Sequence, residues 1–411
     1  MILLALYLTA FILAWAIVGR KKPQTAVTVS FGDAAAVRPN RIASALSVLV
    51  LFAIWGAFTG SALFPLHVPG PFRGETGFTY TAEAPDGSRD DAKVSVLVHP
   101  LDEKPVPQPA PESGSGFAQD DAAAVPVWRS GLVKVSENDL VPGARIVAID
   151  GQPIQPGETV AVADGSVALT AKGTISFSPD RGYQMEPIWL PSPEAVWARL
   201  LQVASDGYQN TPLWEHLGYS LFRVLAGFAT GAAIGIPLGY AMGLSGWFRG
   251  WFDPIVEFMR PVPPLALIPL IIIWFGIWET GKIVLLFLAA LWIMTISARA
   301  GVTGVRLSKV HAAYSLGASR WQVLTRVIVP NSLPEIFTGA RVAMGVCWGT
   351  VVAAELVAAQ KGAGMMIIAA SKFQQTDVVV MGIILIGLVG YGIDILMRKA
   401  EAALVPWKGR G

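Results

Sequence analysis

Seven stretches of this chain are apolar enough to pass through a bilayer, and they limit what the rest of it can be. A spanning helix needs roughly 20 mostly apolar residues. That criterion selects Ile2 to Val18, Ser44 to Leu63, Leu221 to Leu244, Pro264 to Trp278, Ile283 to Ala300, Ile336 to Leu356 and Val378 to Met397. The composition agrees: of 411 residues, 53% are apolar and only 15% charged, and the mean hydropathy is +0.52. Such values lie outside the range of soluble globular chains. The expected fold is an all-α polytopic membrane protein of about seven spans.

The first stretch has no basic residue before it and no A-x-A cleavage pattern, and Arg20, Lys21 and Lys22 follow it. It therefore reads as a retained anchor with its N-terminus outside. On that topology the loops at 19–43, 245–263 and 299–334 and the tail from Arg398 face inward, and they hold sixteen Lys and Arg. The short loops at 279–282 and 357–376 hold Lys282, Lys361 and Lys372. The positive-inside rule thus favours an N-out, C-in arrangement.

Between roughly Val68 and Leu190 the apolar pattern stops. From Pro71 to Leu190 there are nine basic and seventeen acidic residues, against twenty-two and twelve in the rest of the chain. Alternation of β type runs through GFTYTAEA (Gly77 to Ala84), AKVSVLV (Ala92 to Val98), ARIVAID (Ala144 to Asp150) and GTISFS (Gly173 to Ser178), with Gly, Pro and Asp turns between them. An inserted small β-rich domain on the outer, periplasmic side is expected. DEKPVPQPAPESGSG (Asp102 to Gly116) reads as an extended linker inside it. GSGF (Gly114 to Phe117) and VPGARIVAIDGQPI (Val141 to Ile154) resemble in part the peptide-binding loop and following hairpin of PDZ-type domains. A plain hairpin with an Asp150-Gly151 turn accounts for the second piece equally well. The one cysteine, Cys347, falls in the sixth apolar stretch, so no disulfide staples the insertion.

The loop before the sixth stretch contains HAAYSLGASRWQVLTRVIVPNSLP (His311 to Pro334). Ala313, Leu316, Gly317, Trp321, Leu324, Val327 and Ile328 recur at helical spacing, which predicts one amphipathic helix with Gly317 on its apolar side. Glycine costs about 1 kcal/mol of helix propensity there, which points to close approach by a partner. Pro330 and Pro334 are expected to stop the helix. The result would be a stiff cytosolic knob suited to a groove in another protein.

This stretch resembles the EAA signature of ABC importer permeases, matching at Ala312, Ala313, Gly317, Ala318, Ser319, Arg320, Trp321 and Pro330. SLFRVLAGF (Ser220 to Phe228), GIPLGYAMGLS (Gly235 to Ser245), FDPIVEFMRPVPPLALIPLIIIWFG (Phe252 to Gly276), AAEL (Ala353 to Leu356), GAG (Gly362 to Gly364), GIDILMR (Gly392 to Arg398) and WLPSPEAVW (Trp189 to Trp197) resemble the branch that imports taurine, alkanesulfonates and nitrate. The resemblance covers roughly 44–66 and 188–408. It implies a MetI-like permease core at 188–411, a transmembrane helix at 44–66, the insertion at 67–187, and an extra anchor and cytoplasmic loop at 1–43. It implies a bacterial inner-membrane location in contact with membrane lipid. It also implies partners: a cytosolic ABC ATPase carrying ATP and Mg, a periplasmic substrate-binding protein and a second, identical permease copy. No cofactor on this chain and no nucleic-acid partner are expected.

Two departures from the family pattern stand out. His311 replaces the acidic residue that opens the signature, exchanging a fixed charge for a titratable one. The first apolar stretch and the insertion are absent from most members.

The resemblance implies alternating access powered by the partner ATPase, with 311–334 as the coupling element. Candidate pathway positions are Pro264 and Pro269 in the proline-broken fourth stretch, with Thr295, Ser297, Thr350 and Glu355. For the hydroxyl residues, bonding to a local carbonyl is an equal alternative. Glu355 and Asp394 near span ends invite a proton-relay reading, but gate or interface structure is preferred.

GIWETGKI (Gly276 to Ile283) imitates the spacing of a phosphate-binding loop, yet it ends in Ile283 where a Ser or Thr hydroxyl is required. His67, His99, His216 and His311 show no metal-ligand spacing. Two alternatives are an ion-gradient-driven secondary transporter, which usually carries an internal repeat not seen here, and a membrane-tethered β-domain protein, which has no use for the 311–334 element.

Overall fold

The computed structural model describes residues 2–19, 40–101 and 116–407. The expected linker from Asp102 to Gly116, apart from Gly116 itself, and residues 20–39 of the basic loop lie outside them. The chain divides into two units, Met1–Glu194 and Ala195–Gly411.

In the first unit, α1 (Ile2–Ala14) runs on into a π turn at Trp15–Gly19, and α2 spans Arg41–Thr59. Asn40 caps α2 by accepting from the Ile42 N–H at 3.0 Å, and Gly60 ends it in the left-handed region at φ +62°. Among the described residues nine strands follow: β1 (Gly74–Glu83), β2 (Arg89–His99), β3 (Asp121–Pro126), β4 (Gly131–Val133), β5 (Arg145–Ile149), β6 (Gln152–Pro153), β7 (Thr159–Val162), β8 (Gly165–Leu169) and β9 (Ile175–Pro179). They form two sheets, ordered β3-β2-β1-β5-β6 and β4-β9-β8-β7. β1 and β2 are antiparallel from Gly74 opposite Val98 to Glu83 opposite Arg89, whereas β3 lies parallel to β2. Alternate residues turn inward, as the period of a strand requires. Tyr80, Val94, Val96, Ile149, Val167, Ile175 and Phe177 thereby share one buried core, with Phe78 stacked on Phe177 at 6.0 Å between ring centres.

β5 and β6 form a plain hairpin in which Asp150 and Gly151 adopt φ +47° and +74°, the twist that suits a two-residue turn. Among the described residues from 74 to 179 the only helical turn is Val135–Glu137. The partial PDZ resemblance therefore finds no support among the described residues, which supply no helix to form the strand–helix groove of such a domain.

The second unit is helical: α3 (Pro193–Asp206, entering from the first unit), α4 (Leu213–Leu244), α5 (Gly246–Met259), a 3-10 turn at Pro264–Leu267, α6 (Ile268–Phe275), α7 (Glu279–Thr303), α8 (Leu307–Ser315), α9 (Arg320–Val323), a π turn at Leu324–Ile328, α10 (Val329–Ala358), α11 (Ala363–Lys372) and α12 (Thr376–Leu404). Its organising contact is α4 against α7. Gly227, Gly231, Gly235, Gly239 and Gly243 recur every fourth residue along one face of α4. A Cβ on Gly231 would stand 2.6 Å from the Ala290 Cβ, and one on Gly235 would stand 2.7 Å from the Leu291 carbonyl oxygen. The stripe lets two backbones approach closely, the usual basis of helix association in lipid. On the other side Trp348 of α10 donates to the Ile386 carbonyl of α12 at 3.0 Å.

Among the described residues five helical runs are long and apolar enough to cross a membrane, α2, α4, α7, the continuous run Arg320–Val357 and α12, and α5 together with Pro264–Phe275 makes a sixth where that bent pair is counted as one span. The other two expected stretches are shorter as helices. α1 has 13 residues. The stretch from Pro264 to Trp278 yields only the 3-10 turn and the eight residues of α6, bent by 91° from α5. Pro261, Pro263, Pro264 and Pro269 explain the break, because each removes a backbone donor and crowds the preceding turn.

Candidate coupling loop and charged cluster

The segment from 307 to 328 is a helix–turn–helix rather than the single amphipathic helix expected. α8 ends in a Schellman turn: the Ala318 N–H reaches back to the Ala313 carbonyl at 3.1 Å, and the Gly317 N–H to that of Tyr314 at 2.9 Å. Gly317 has φ +80°, and a Cβ there would meet nothing within 4 Å. The reason for glycine is thus its left-handed backbone, not a close neighbour within this chain. Ser319 then caps α9 in a reciprocal box with Gln322, at 3.3 Å and 2.8 Å.

Pro330 sits in the first turn of α10 and Pro334 inside it, so neither stops the helix. The π turn just before α10 takes up the local mismatch. The apolar residues around the turn point outward: Leu316 is 88% exposed, Trp321 70% and Tyr314 47%. His311, Ala312 and Arg320 are exposed, while Ala313 and Ala318 are half-buried.

The proposed pathway residues fall in different surroundings. Pro264 opens the 3-10 turn, and Pro269 lies exposed in the first turn of α6. Thr295 is fully buried; its hydroxyl donates to the Leu291 carbonyl at 2.7 Å, and the side chain lies against Gly235 of α4. Ser297 packs against Gly339 of α10, and Thr350 is buried.

Glu355 belongs to a cluster that sequence reasoning missed. Arg223 of α4 donates to Glu355 Oε1 at 2.6 Å, to the Lys361 carbonyl at 2.8 Å, and through Nε and Nη2 to both oxygens of Glu279 at 2.5 and 2.7 Å. Ser220 donates to Glu355 at 2.8 Å, and the Gly364 N–H does so at 2.9 Å. His216 accepts the Gly362 N–H on Nδ1 at 3.1 Å, which leaves the proton on Nε2, facing the Tyr208 carbonyl. Lys282 bonds Glu279 at 2.9 Å and Lys361 bonds Glu215 at 2.5 Å, so three cations meet three carboxylates. The Glu215 bond holds the ammonium of Lys361, in the loop, above its usual range. An arginine two residues into an apolar stretch was the available signal. Asp394, by contrast, bonds Arg341 and Arg398 at a half-exposed site.

GIWETGKI forms the turn from α6 into α7, where Lys282 is buried against Glu279 rather than open to a phosphate.

The second unit is thus a bundle of apolar helices that carries an exposed, apolar-tipped helix–turn–helix between α7 and α10. Residues 233–405 match the family described as binding-protein-dependent transport system inner membrane component. The chain is 44% identical over 258 residues to the taurine transport system permease protein TauC of Escherichia coli (strain K12), covering 62% of this chain and 92% of that one. To the putative aliphatic sulfonates transport permease protein SsuC of the same organism it is 41% identical, covering 53% and 81%. To the nitrate import permease protein NrtB of Leptolyngbya laminosa it is 32% identical, covering 49% and 72%. It is also similar to a structure of the MetNI methionine ABC transporter in inward-facing conformations, with TM-score 0.42 and 18% identity over 47% of this chain and 95% of that one. The chain belongs to the binding-protein-dependent ABC transport permeases of the inner membrane. Nothing in these relatives supports the gradient-driven alternative.

Proposed function

We propose that the chain forms the translocation pathway of an ABC importer for a small organic sulfonate or similar anion, working as a pair of identical copies. The relatives' substrates support that class. The chain itself is non-catalytic; ATP and Mg reside on the cytosolic ATPase, and a substrate-binding protein delivers the solute from outside. The chain crosses the membrane N-out and C-in, with the β unit of residues 67–187 in the periplasm and the anchor at 1–43 preceding it.

The observation that carries the reading is the turn at Gly317, which holds Leu316 and Trp321 in water on a scaffold fixed by two capping motifs. Exposed apolar anchors on a rigid turn are what a groove in a partner recognises. The test is uptake of radiolabelled taurine, an alkanesulfonate and nitrate into vesicles that hold the complex, with the binding protein supplied. ATP-dependent uptake of one of these, lost in Leu316→Asp together with ATPase co-purification, is the expected result. Uptake that follows an ion gradient without ATP would overturn it.

A further inference from the structure

α5 is divided lengthwise by chemistry. Trp247, Phe248, Trp251, Ile255 and Phe258 fall within an arc of about 100°, and all are exposed, Trp251 at 63% and Phe258 at 72%. Their rings are ordered on one another: Trp247 stacks on Trp251 at 5.8 Å and meets Phe248 edge-on at 5.3 Å. The opposite arc carries Arg249, Asp253, Glu257 and Arg260. That side is anchored to the bundle, because Arg299 of α7 donates to Asp253 and, at 3.1 Å, to Glu257.

By itself this helix is too short to be a span. Its 14 residues cover about 21 Å at 1.5 Å each, short of the roughly 30 Å hydrocarbon layer, and three charged residues, Arg249, Asp253 and Glu257, interrupt it. It begins directly after Ser245, the C-cap of the long apolar α4, and its partner Arg299 lies in the last turns of α7. The aromatic arc therefore stands at the level where both spanning helices leave the membrane. The next helix, α6, departs at 91°.

We infer that α5 lies in the plane of the membrane, with its tryptophan face seated among lipids at the headgroup boundary and its charged face turned to water and to Arg299. Tryptophan favours that boundary because its ring is apolar and its N–H polar. An amphipathic helix with an aromatic face and a charged face settles about 5–10 Å into it. The charges of the polar arc balance, so burial of aromatic surface, not attraction to anionic headgroups, holds the helix there. Continuity with the ends of α4 and α7 selects lipid over a second copy or the ATPase as the occupant. The leaflet, taken as the inner one, rests on the importer reading; the insertion does not.

The test places a nitroxide at Trp247→Cys, Trp251→Cys, Phe258→Cys and Arg249→Cys in turn, in the full chain with Cys347→Ala. Each variant is reconstituted into nanodiscs of phosphatidylethanolamine and phosphatidylglycerol, with and without the ATPase. All four labelled side chains are exposed, so the fold tolerates them. Collision with oxygen exceeding that with a water-soluble nickel chelate at 247, 251 and 258, with the reverse at 249, is the expected pattern. Nickel access at the aromatic positions would overturn the inference, and so would shielding from both reagents, which marks a protein cover. The leaflet is read separately, from whether an impermeant maleimide reaches Lys309→Cys only in permeabilised cells. Labelling in intact cells would sink the topology and leave the insertion standing.

Discussion

Arg223 and Glu355, 132 residues apart, form an ion pair of 2.6 Å in which the arginine is 1% exposed and the glutamate 1%. The guanidinium joins α4, α7, α10 and the loop before α11 through one group. A buried pair of this kind gives little net stability against an apolar replacement, but removing one partner strands the other's charge, at a cost of about 3–5 kcal/mol. Arg223→Met and Glu355→Leu should each lower the unfolding temperature of the purified protein strongly. The double variant should fall by less than the sum. Additive losses in a thermal-shift double-mutant cycle would show that the two do not act as a pair.

The glycine stripe makes a second, steric prediction. Gly235→Val should abolish accumulation of folded protein in the membrane, because the Leu291 carbonyl stands where the new side chain must go, 2.7 Å from its Cβ. Gly218→Ala on the same helix, with nothing within 4 Å, should accumulate normally. Size-exclusion profiles of the two in mild detergent decide it; equal profiles would mean that α4 and α7 are not held at close approach.

At Gly317 the prediction turns on backbone, not space. An L residue in the left-handed region costs roughly 1–2 kcal/mol, and asparagine bears it best. Gly317→Asn should therefore retain ATPase co-purification and uptake, while Gly317→Val should lose most of both. A valine variant that couples normally would argue that the Schellman turn is not what presents Leu316.

The sequence located these features unevenly, for physical reasons. Apolar runs announce spanning helices because lipid demands length, and alternation announced the cores of β1, β2, β5 and β9. β3 was not legible: Asp-Ala-Ala-Ala-Val-Pro has almost no alternation, and its place beside β2 is set by long-range pairing. The apolar spacing from Ala313 to Ile328 continues in phase across Gly317, so periodicity alone reads one helix where a left-handed residue makes two. Pro334 was expected to end a helix that in fact continues through it. The Arg223 cluster was half visible. A cation in an apolar stretch demands a partner, but nothing local says that the partners are Glu279 and Glu355.

The β unit should respond to pH through Asp121. Burial, then the neighbouring charge of Asp139, pushes its carboxyl up to about 7. Its Oδ2 is buried without a hydrogen-bond partner. The Tyr80 hydroxyl lies in the same pocket, donating to Asp139 at 3.1 Å and to the Gln119 carbonyl at 3.0 Å. Because the folded state binds this proton more tightly than the unfolded chain, whose value is 3.8, the stabilising effect is complete below about pH 4 and is lost as pH rises through about 7. A soluble fragment of residues 68–190 should therefore melt at a higher temperature at pH 5.5 than at pH 8. Asp121→Asn, which keeps the shape without the charge, should flatten that slope and raise the melting temperature at pH 8. If the variant keeps the wild-type slope, Asp121 is not the titrating group.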